Sequence, residues 1–304
     1  MRTDPNHIAL IGFGEAGQAL ARGWRRDVPE VRISAFDIKT LAPATEEAMR
    51  DSYRRAGVEG HDNLPEALAE ADVAFSVVTA DRAGDVARAA APFLREDALF
   101  YDGNSCAPGT KAASAQAVEA AGARYVDCAI MAPIHPNLHR TRMLLSGPHA
   151  DVAQDAAVAL AMDMRVLAGP VGRASTVKML RSVMIKGIEA LTLESLLAAR
   201  AAGCEDDIVA ALDASMPGWD WAARAAYNIE RTTTHGTRRA AEMREVAKTV
   251  AALGLPPRMA QATVDWQADM GALGLPPGPK DLAARADAVL AALGLTDTDT
   301  LKHA

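Results

Sequence analysis

Two groups of residues in this chain have types and spacings that can do chemistry. The first is the stretch GFGEAG at residues 12–17, with Asp37 twenty residues beyond its last glycine. Between a strand and a helix, Gly12 permits a tight turn and Gly14 lets a pyrophosphate approach the backbone. Gly17 lets the helix pack closely on the strand. Phe13, Glu15 and Ala16 complete the turn, whose free N–H groups and partial positive charge suit phosphates. A carboxylate at Asp37 can accept hydrogen bonds from both ribose hydroxyls and repels a 2′-phosphate. These residues therefore predict NAD as cofactor over NADP, with Lys39 two residues on softening the preference.

The second group is Lys178, Ser182 and Lys186, at i, i+4 and i+8, with Arg181 close to the same helical face. Their neighbours Val177, Met179, Leu180, Val183, Met184 and Ile185 are apolar, which predicts a narrow polar line on a mostly buried helix. Two lysines there are costly unless the line faces a cleft. A lysine whose pKa is lowered by burial and nearby positive charge can take a hydroxyl proton as a general base. On this reading Lys186 clamps an anion or modulates the pKa of Lys178.

Both groups need elements to hold them. HIALIG (7–12), RISAFD (32–37), ADVAFSVVT (71–79) and ALFYDG (98–103) read as buried strands, followed by ARYVDCAI, RMLLSG and MRVLAG. NLPEALAEA (63–71) and RAGDVARAAAPFL (82–94) read as helices between them. The alternation predicts a doubly wound, mostly parallel α/β sheet over residues 1–170, a Rossmann domain. From 171 to 304 the pattern is all helical, beginning with one very long candidate over 175–203. ALGL recurs at 252–255, 272–275 and 292–295. The intervening sequences do not match, so these read as three similar helix ends rather than a repeat. The tail TDTDTLKHA reads as frayed.

Bulk properties narrow the function. The 304 residues are 50% hydrophobic but only 4% aromatic, which suits helix packing over a β-sandwich. A net charge of −7 without a basic stripe argues against nucleic acid. No apolar run approaches a bilayer span, so no membrane partner is expected. MRTDPN is too short and polar for a signal peptide. Cys106, Cys128 and Cys204 lack paired spacing, which fits a reducing cytoplasm.

With these motifs in place, the chain resembles the β-hydroxyacid dehydrogenases, which include 3-hydroxyisobutyrate and 6-phosphogluconate dehydrogenases. The likeness covers nearly the whole chain. IALIGFGEAGQALA is similar to the family's cofactor turn. VVTADRAGDV stands where the family has a loop over the dinucleotide, which implies that Val78 and Thr79 border it. YDGNSCAPGT (101–110) is similar to the family's Asp-x-Ser-Thr-x-x-Pro segment. That likeness implies Asn104 and Ser105 near nicotinamide and substrate, at the strand edge where open α/β sheets bind ligands. GRASTVKMLRSVMIKGIEAL (172–191) resembles the interdomain helix whose catalytic lysine maps to Lys178.

The chain also departs from that family. Ser182 stands where an Asn is usual, and DCAIMAPIHP (127–136) replaces a Ser-Gly-Gly substrate loop. A Lys-Asp pair of the helical domain is missing, with Glu242 in its place. The resemblance is to a divergent branch with a poorly characterised C-terminal helical domain.

Other polar residues have milder readings. His135 and His139 have the spacing of a helical metal pair, but Pro136 and the lack of an acidic third ligand favour pocket lining, with no metal. His235, Arg238 and Arg239 read as the head of a second-domain helix, where one of them pairs with a substrate carboxylate. Trp219 and Trp221 read as core or interface.

The expected activity is an NAD-dependent dehydrogenase acting on a small, anionic hydroxy acid or related alcohol, with a homodimer formed through the helical domains. Alternatives are a semialdehyde or imine reductase of the same fold, or a non-catalytic NAD-binding sensor.

Overall fold

The computed structural model describes residues 4–295; the tail TDTDTLKHA lies outside the described residues. In chain order the elements are β1 (His7–Ile11), α1 (Glu15–Asp27), β2 (Arg32–Phe36), α2 (Glu46–Ala56), β3 (Glu59–Gly60), α3 (Leu64–Leu68) and β4 (Val73–Ser76). Then come α4 (Ala83–Ala90), β5 (Leu99–Asp102), α5 (Pro108–Ala120), β6 (Arg124–Ile130), β7 (Met143–Ser146), α6 (Ala150–Ala159) and β8 (Met164–Val166). Five helices follow: α7 (Arg173–Ala201), α8 (Glu205–Ser215), α9 (Trp221–Ala252), α10 (Arg258–Ala272) and α11 (Leu282–Ala292).

The strands form one sheet of eight in the order β3-β2-β1-β4-β5-β6-β7-β8. The first six strands are parallel, in the doubly wound order in which a dinucleotide binds at the carboxyl edge. Strand β7 runs antiparallel to β6 because residues 131–142 contain only a short 3₁₀ turn and no crossover helix. Alternation along the strands divides the core. Ile8, Leu10, Phe75 and Tyr101 pack on one face of the sheet, and Ala9, Ile11, Ala74 and Phe100 on the other.

The chain divides into two compact units, ending at Met179 and starting at Leu180. The division falls inside α7, beyond the sequence boundary at 170, because the first turns of α7 are tied into the sheet unit. In the second unit α9 and α10 approach backbone to backbone. A Cβ on Gly236 would lie 2.3 Å from the Gln267 carbonyl oxygen, and one on Gly271 2.3 Å from the Thr237 nitrogen. Leu193, Leu197, Ile229, Met270 and Val289 fill the core of this unit.

The three ALGL segments are helix ends. Gly254, Gly274 and Gly294 take φ of +80°, +63° and +75° just past α9, α10 and α11, left-handed conformations that glycine adopts without strain. One expectation is corrected here. The segment with His235, Arg238 and Arg239 is not the head of a helix but the middle of α9. That helix starts at Trp221, where the Asp220 side chain accepts from the Ala223 N–H. Gly236 does not break it, because the missing side chain is what lets α10 pack there.

Candidate functional site

The glycine turn joins β1 to α1, and the surroundings of its three glycines fit the three roles. Gly12 has φ of +93°, and a Cβ there would lie 2.7 Å from the Val77 carbonyl oxygen. A Cβ on Gly17 would lie 2.3 Å from the Gly12 carbonyl oxygen, so helix and turn touch. A Cβ on Gly14 would meet nothing within 4 Å, which leaves open the side a phosphate would approach. The first intrahelical bond runs from the Gln18 N–H to the Gly14 carbonyl. The earlier N–H groups, of Glu15, Ala16 and Gly17, have no acceptor within the helix and suit an anion.

Asp37, just past β2, closes the turn from the other side. Its Oδ2 accepts from the Phe13 N–H at 2.7 Å and its Oδ1 from the Lys39 N–H at 3.0 Å. Each oxygen keeps acceptor capacity for a ribose hydroxyl. The Phe13 ring is buried and tilted against Tyr53, with centroids 4.9 Å apart. The backbone that presents Gly14 is thereby fixed.

Val78 and Asn104 follow β4 and β5, the next two strands across the sheet. The Val78 N–H donates to Asn104 Oδ1 at 2.6 Å. Asn104 Nδ2 donates to Ser76 Oγ at 3.0 Å and to Asp102 Oδ1 at 2.7 Å. Both amide hydrogens are spent inside the protein, and the side chain braces the loop. Ser105 is half-buried beside it, and Thr79 is exposed.

Beneath this loop lies a buried polar cluster that sequence reasoning missed. Lys111, on α5, is fully buried with Nζ 3.0 Å from Asp102 Oδ1 and 3.7 Å from Asp127 Oδ1. Burial alone would lower its pKa, but the two carboxylates prevail and hold it above the usual lysine value. Asp102 also accepts from Tyr125 Oη at 2.7 Å. Asp127 caps α7: it accepts from the Gly172 N–H at 3.0 Å, the Ser175 N–H at 3.1 Å and Ser175 Oγ at 2.5 Å. Two sequence signals pointed to the cluster. One is a lone lysine in the Ala-rich α5, and the other is the pair of flanking segments FYD and YVD, each ending in Asp.

Lys178 lies three residues beyond Ser175 and is half-buried. Burial pushes the thiol of Cys128 up to about 12, and the charges of Lys111 and Lys178 both pull it back down. Lys178 thus stands within electrostatic reach of β6, near the cluster.

The second unit places the other candidates. Ser182 is buried, and Lys186 Nζ lies 3.0 Å from Glu242, which also pairs with Arg238 at 2.8 Å. The charge of Lys186 is therefore shared with a carboxylate. Arg239 is buried in an ion pair with Glu189, to which Gln267 is also directed, so it is a core residue. His235 is half-buried on α9.

The histidines of HPNLH do not line a pocket together. His135 is exposed, while His139 is buried against Gly23 of α1, with Nε2 3.2 Å from Asp27. Among the described residues no cluster of three or more His, Cys, Asp or Glu side chains could hold a metal ion. Met184 and Ile185 are exposed, so the polar line of α7 is not hemmed in by buried neighbours within one chain. Trp221 is buried and stacks on the exposed Trp219, with centroids 5.2 Å apart and the Arg224 guanidinium over the outer ring. No helix among the described residues is long and apolar enough to cross a membrane.

A doubly wound sheet with a glycine turn and an acidic residue after β2, followed by a helical unit, defines the class of NAD-binding dehydrogenases. Residues 7–167 match the model of the NAD binding domain of 6-phosphogluconate dehydrogenase, and residues 199–270 match a domain of unknown function, DUF1932. The chain belongs to the β-hydroxyacid dehydrogenase superfamily. It is 37% identical to a conserved hypothetical protein from Sinorhizobium meliloti 1021, with a TM-score of 0.68 and 88% of each chain covered. It is 25% identical to an uncharacterized 28.5 kDa protein of Methanothermus fervidus, over 84% of this chain and 95% of that protein. The fold is also that of a Mycobacterium tuberculosis 3-hydroxyisobutyrate dehydrogenase solved with L-serine. That match has a TM-score of 0.70 at 15% identity and covers 93% of this chain and 99% of the other.

Proposed function

We propose that this protein is an NAD-preferring dehydrogenase that oxidises a small anionic hydroxy acid or related alcohol. NAD supplies the hydride acceptor when bound at the glycine turn. The protein's own part is to hold pyrophosphate at Gly14 and ribose at Asp37, and to take the hydroxyl proton at the Lys178 amine. The observation that carries this reading is the start of α7. Asp127, paired in register with Asp102, caps that helix one turn before Lys178. The lysine is thus fixed to the same half of the sheet from which the glycine turn, Val78 and Asn104 emerge.

The protein works as a homodimer in the cytoplasm on this proposal. Leu180, Met184, Ile185 and Leu191 are exposed on α7, and a second copy of the helical unit would cover them. The functional test is a panel of hydroxy acids and sugar acids offered with NAD while NADH absorbance is followed. Turnover on a member of the panel, lost in Lys178→Met, supports the proposal. Tight NAD binding with no electron transfer to any of them, and no effect of Lys178→Met, overturns it.

A further inference from the structure

Asp102 and Asp127 face each other across β5 and β6 as register partners, and both are fully buried. Two buried carboxylates so placed repel each other unless a cation lies between them. Lys111 is that cation, and its two partners lead to different places. Asp102 holds Asn104 through its backbone N–H at 3.1 Å and its amide at 2.7 Å, and Asn104 holds the Val78 N–H at 2.6 Å. Asp127 holds the Gly172 and Ser175 N–H groups that begin the helix bearing Lys178.

We infer that Lys111 is the positioning residue that sets the dinucleotide loop at Val78 and the start of the Lys178 helix in one fixed register. This rests on the reading of Lys178 as the proton-transfer group. Without the Lys111 ammonium the two buried carboxylates repel each other across β5 and β6. Each is pushed off its partners, Asp127 from the α7 amides and Asp102 from Asn104. Removal of one buried side chain thus loosens two segments that are 94 residues apart in sequence, Val78 and Gly172.

Amide hydrogen exchange read by NMR on the full-length chain tests this without a substrate. In Lys111→Met, the amides of Val78 and of Gly172 and Ser175 exchange about tenfold faster or more, in step. Loosening of only one segment, or of neither, overturns the inference. The double variant Lys111→Met/Asp102→Asn removes one charge of each sign and tests the Asp127 arm by itself. With no second carboxylate opposite it, Asp127 keeps its amide partners, so Gly172 and Ser175 recover towards wild-type protection. If they stay much faster than in the wild type, Lys111 does not act through the carboxylate pair and the inference fails. Should Lys111→Met not fold, the double variant decides alone. Turnover in Lys178→Met tests the proton-transfer reading separately, so each idea can fail without the other.

Discussion

Asp37 Oδ2 lies 2.7 Å from the Phe13 amide nitrogen, so the carboxylate placed for the ribose also pins the glycine turn placed for the phosphates. The two parts of the cofactor site are one hydrogen-bonded unit. NAD is expected to bind more tightly than NADP by about 1.4 kcal/mol, roughly tenfold, because the fixed carboxylate repels a 2′-phosphate. Fluorescence titration of both cofactors checks this. Equal affinities would mean that Lys39 controls the site. Asp37→Ala should erase the preference and also weaken NAD, since the Phe13 N–H loses its acceptor.

The three glycines should separate on substitution. Gly14→Ala leaves thermal stability within about 0.5 kcal/mol, since its Cβ would meet nothing within 4 Å and its φ is −75°. NAD affinity nevertheless falls, because the methyl occupies the side the phosphates approach. Gly17→Ala places a Cβ 2.3 Å from the Gly12 carbonyl oxygen and should lower both melting temperature and affinity. Calorimetric melting with and without NAD distinguishes the two. Equal behaviour of the two variants would remove the phosphate role from Gly14.

Assembly has its own test. Met184 and Ile185 are exposed side by side on α7, with Leu180 and Leu191 nearby in sequence. Sedimentation at micromolar concentration should show a dimer, and Ile185→Glu should shift it to monomer by burying a charge in the interface. A wild-type monomer under those conditions rules the dimer out.

His139 gives a pH dependence of stability. Burial lowers its pKa, the Asp27 carboxylate beside it pulls the other way, and Arg140 and Arg26 reinforce the lowering. Below the ordinary histidine value of about 6.5 the unfolded chain takes up a proton that folded His139 still refuses. Its contribution is therefore favourable above that pH and lost as pH falls towards the lowered folded value. Melting temperature should drop between pH 7.5 and 5.5, and His139→Gln should drop less. An identical fall in the variant assigns the effect to other groups, His7 among them.

How much of this was legible in the sequence depended on how local each signal is. The glycine turn, Asp37 and seven of the eight strands follow from short apolar runs and their spacing; β3, two exposed residues long, has no such run. The start of α9 was missed because Gly236 looks like a boundary, and only α10 packing on it explains its presence. The role of Asn104 was half legible. Its place at the strand end could be read, whereas its partners Ser76 and Val78 come from the neighbouring strand. Lys111 left only the faint trace of a lone lysine in an Ala-rich helix, since its two carboxylates belong to separate strands that meet only in the sheet. The ion pair of Lys186 was not legible for the same reason, its partner Glu242 lying on another helix.

The mechanistic prediction concerns Lys178. It lies one turn past the Asp127-capped start of α7, in the segment 172–191 whose resemblance to the family's interdomain helix underlies the expectation of a proton-transfer lysine there. General acid–base catalysis is worth about 10²–10⁴ in rate. Lys178→Met keeps the length of the side chain and removes the amine, so turnover should fall by that order. NAD affinity should barely change, because the phosphates and ribose are held by the glycine turn and Asp37. Alcohol oxidation by the wild type should require a deprotonated group, and that limb of the pH profile should vanish in the variant. Ser175→Ala, which removes one donor to the cap but leaves the amine, should cost far less turnover than Lys178→Met. If Lys178→Met keeps full turnover on a hydroxy acid that the wild type oxidises, the proton goes elsewhere, and His235 becomes the next residue to replace.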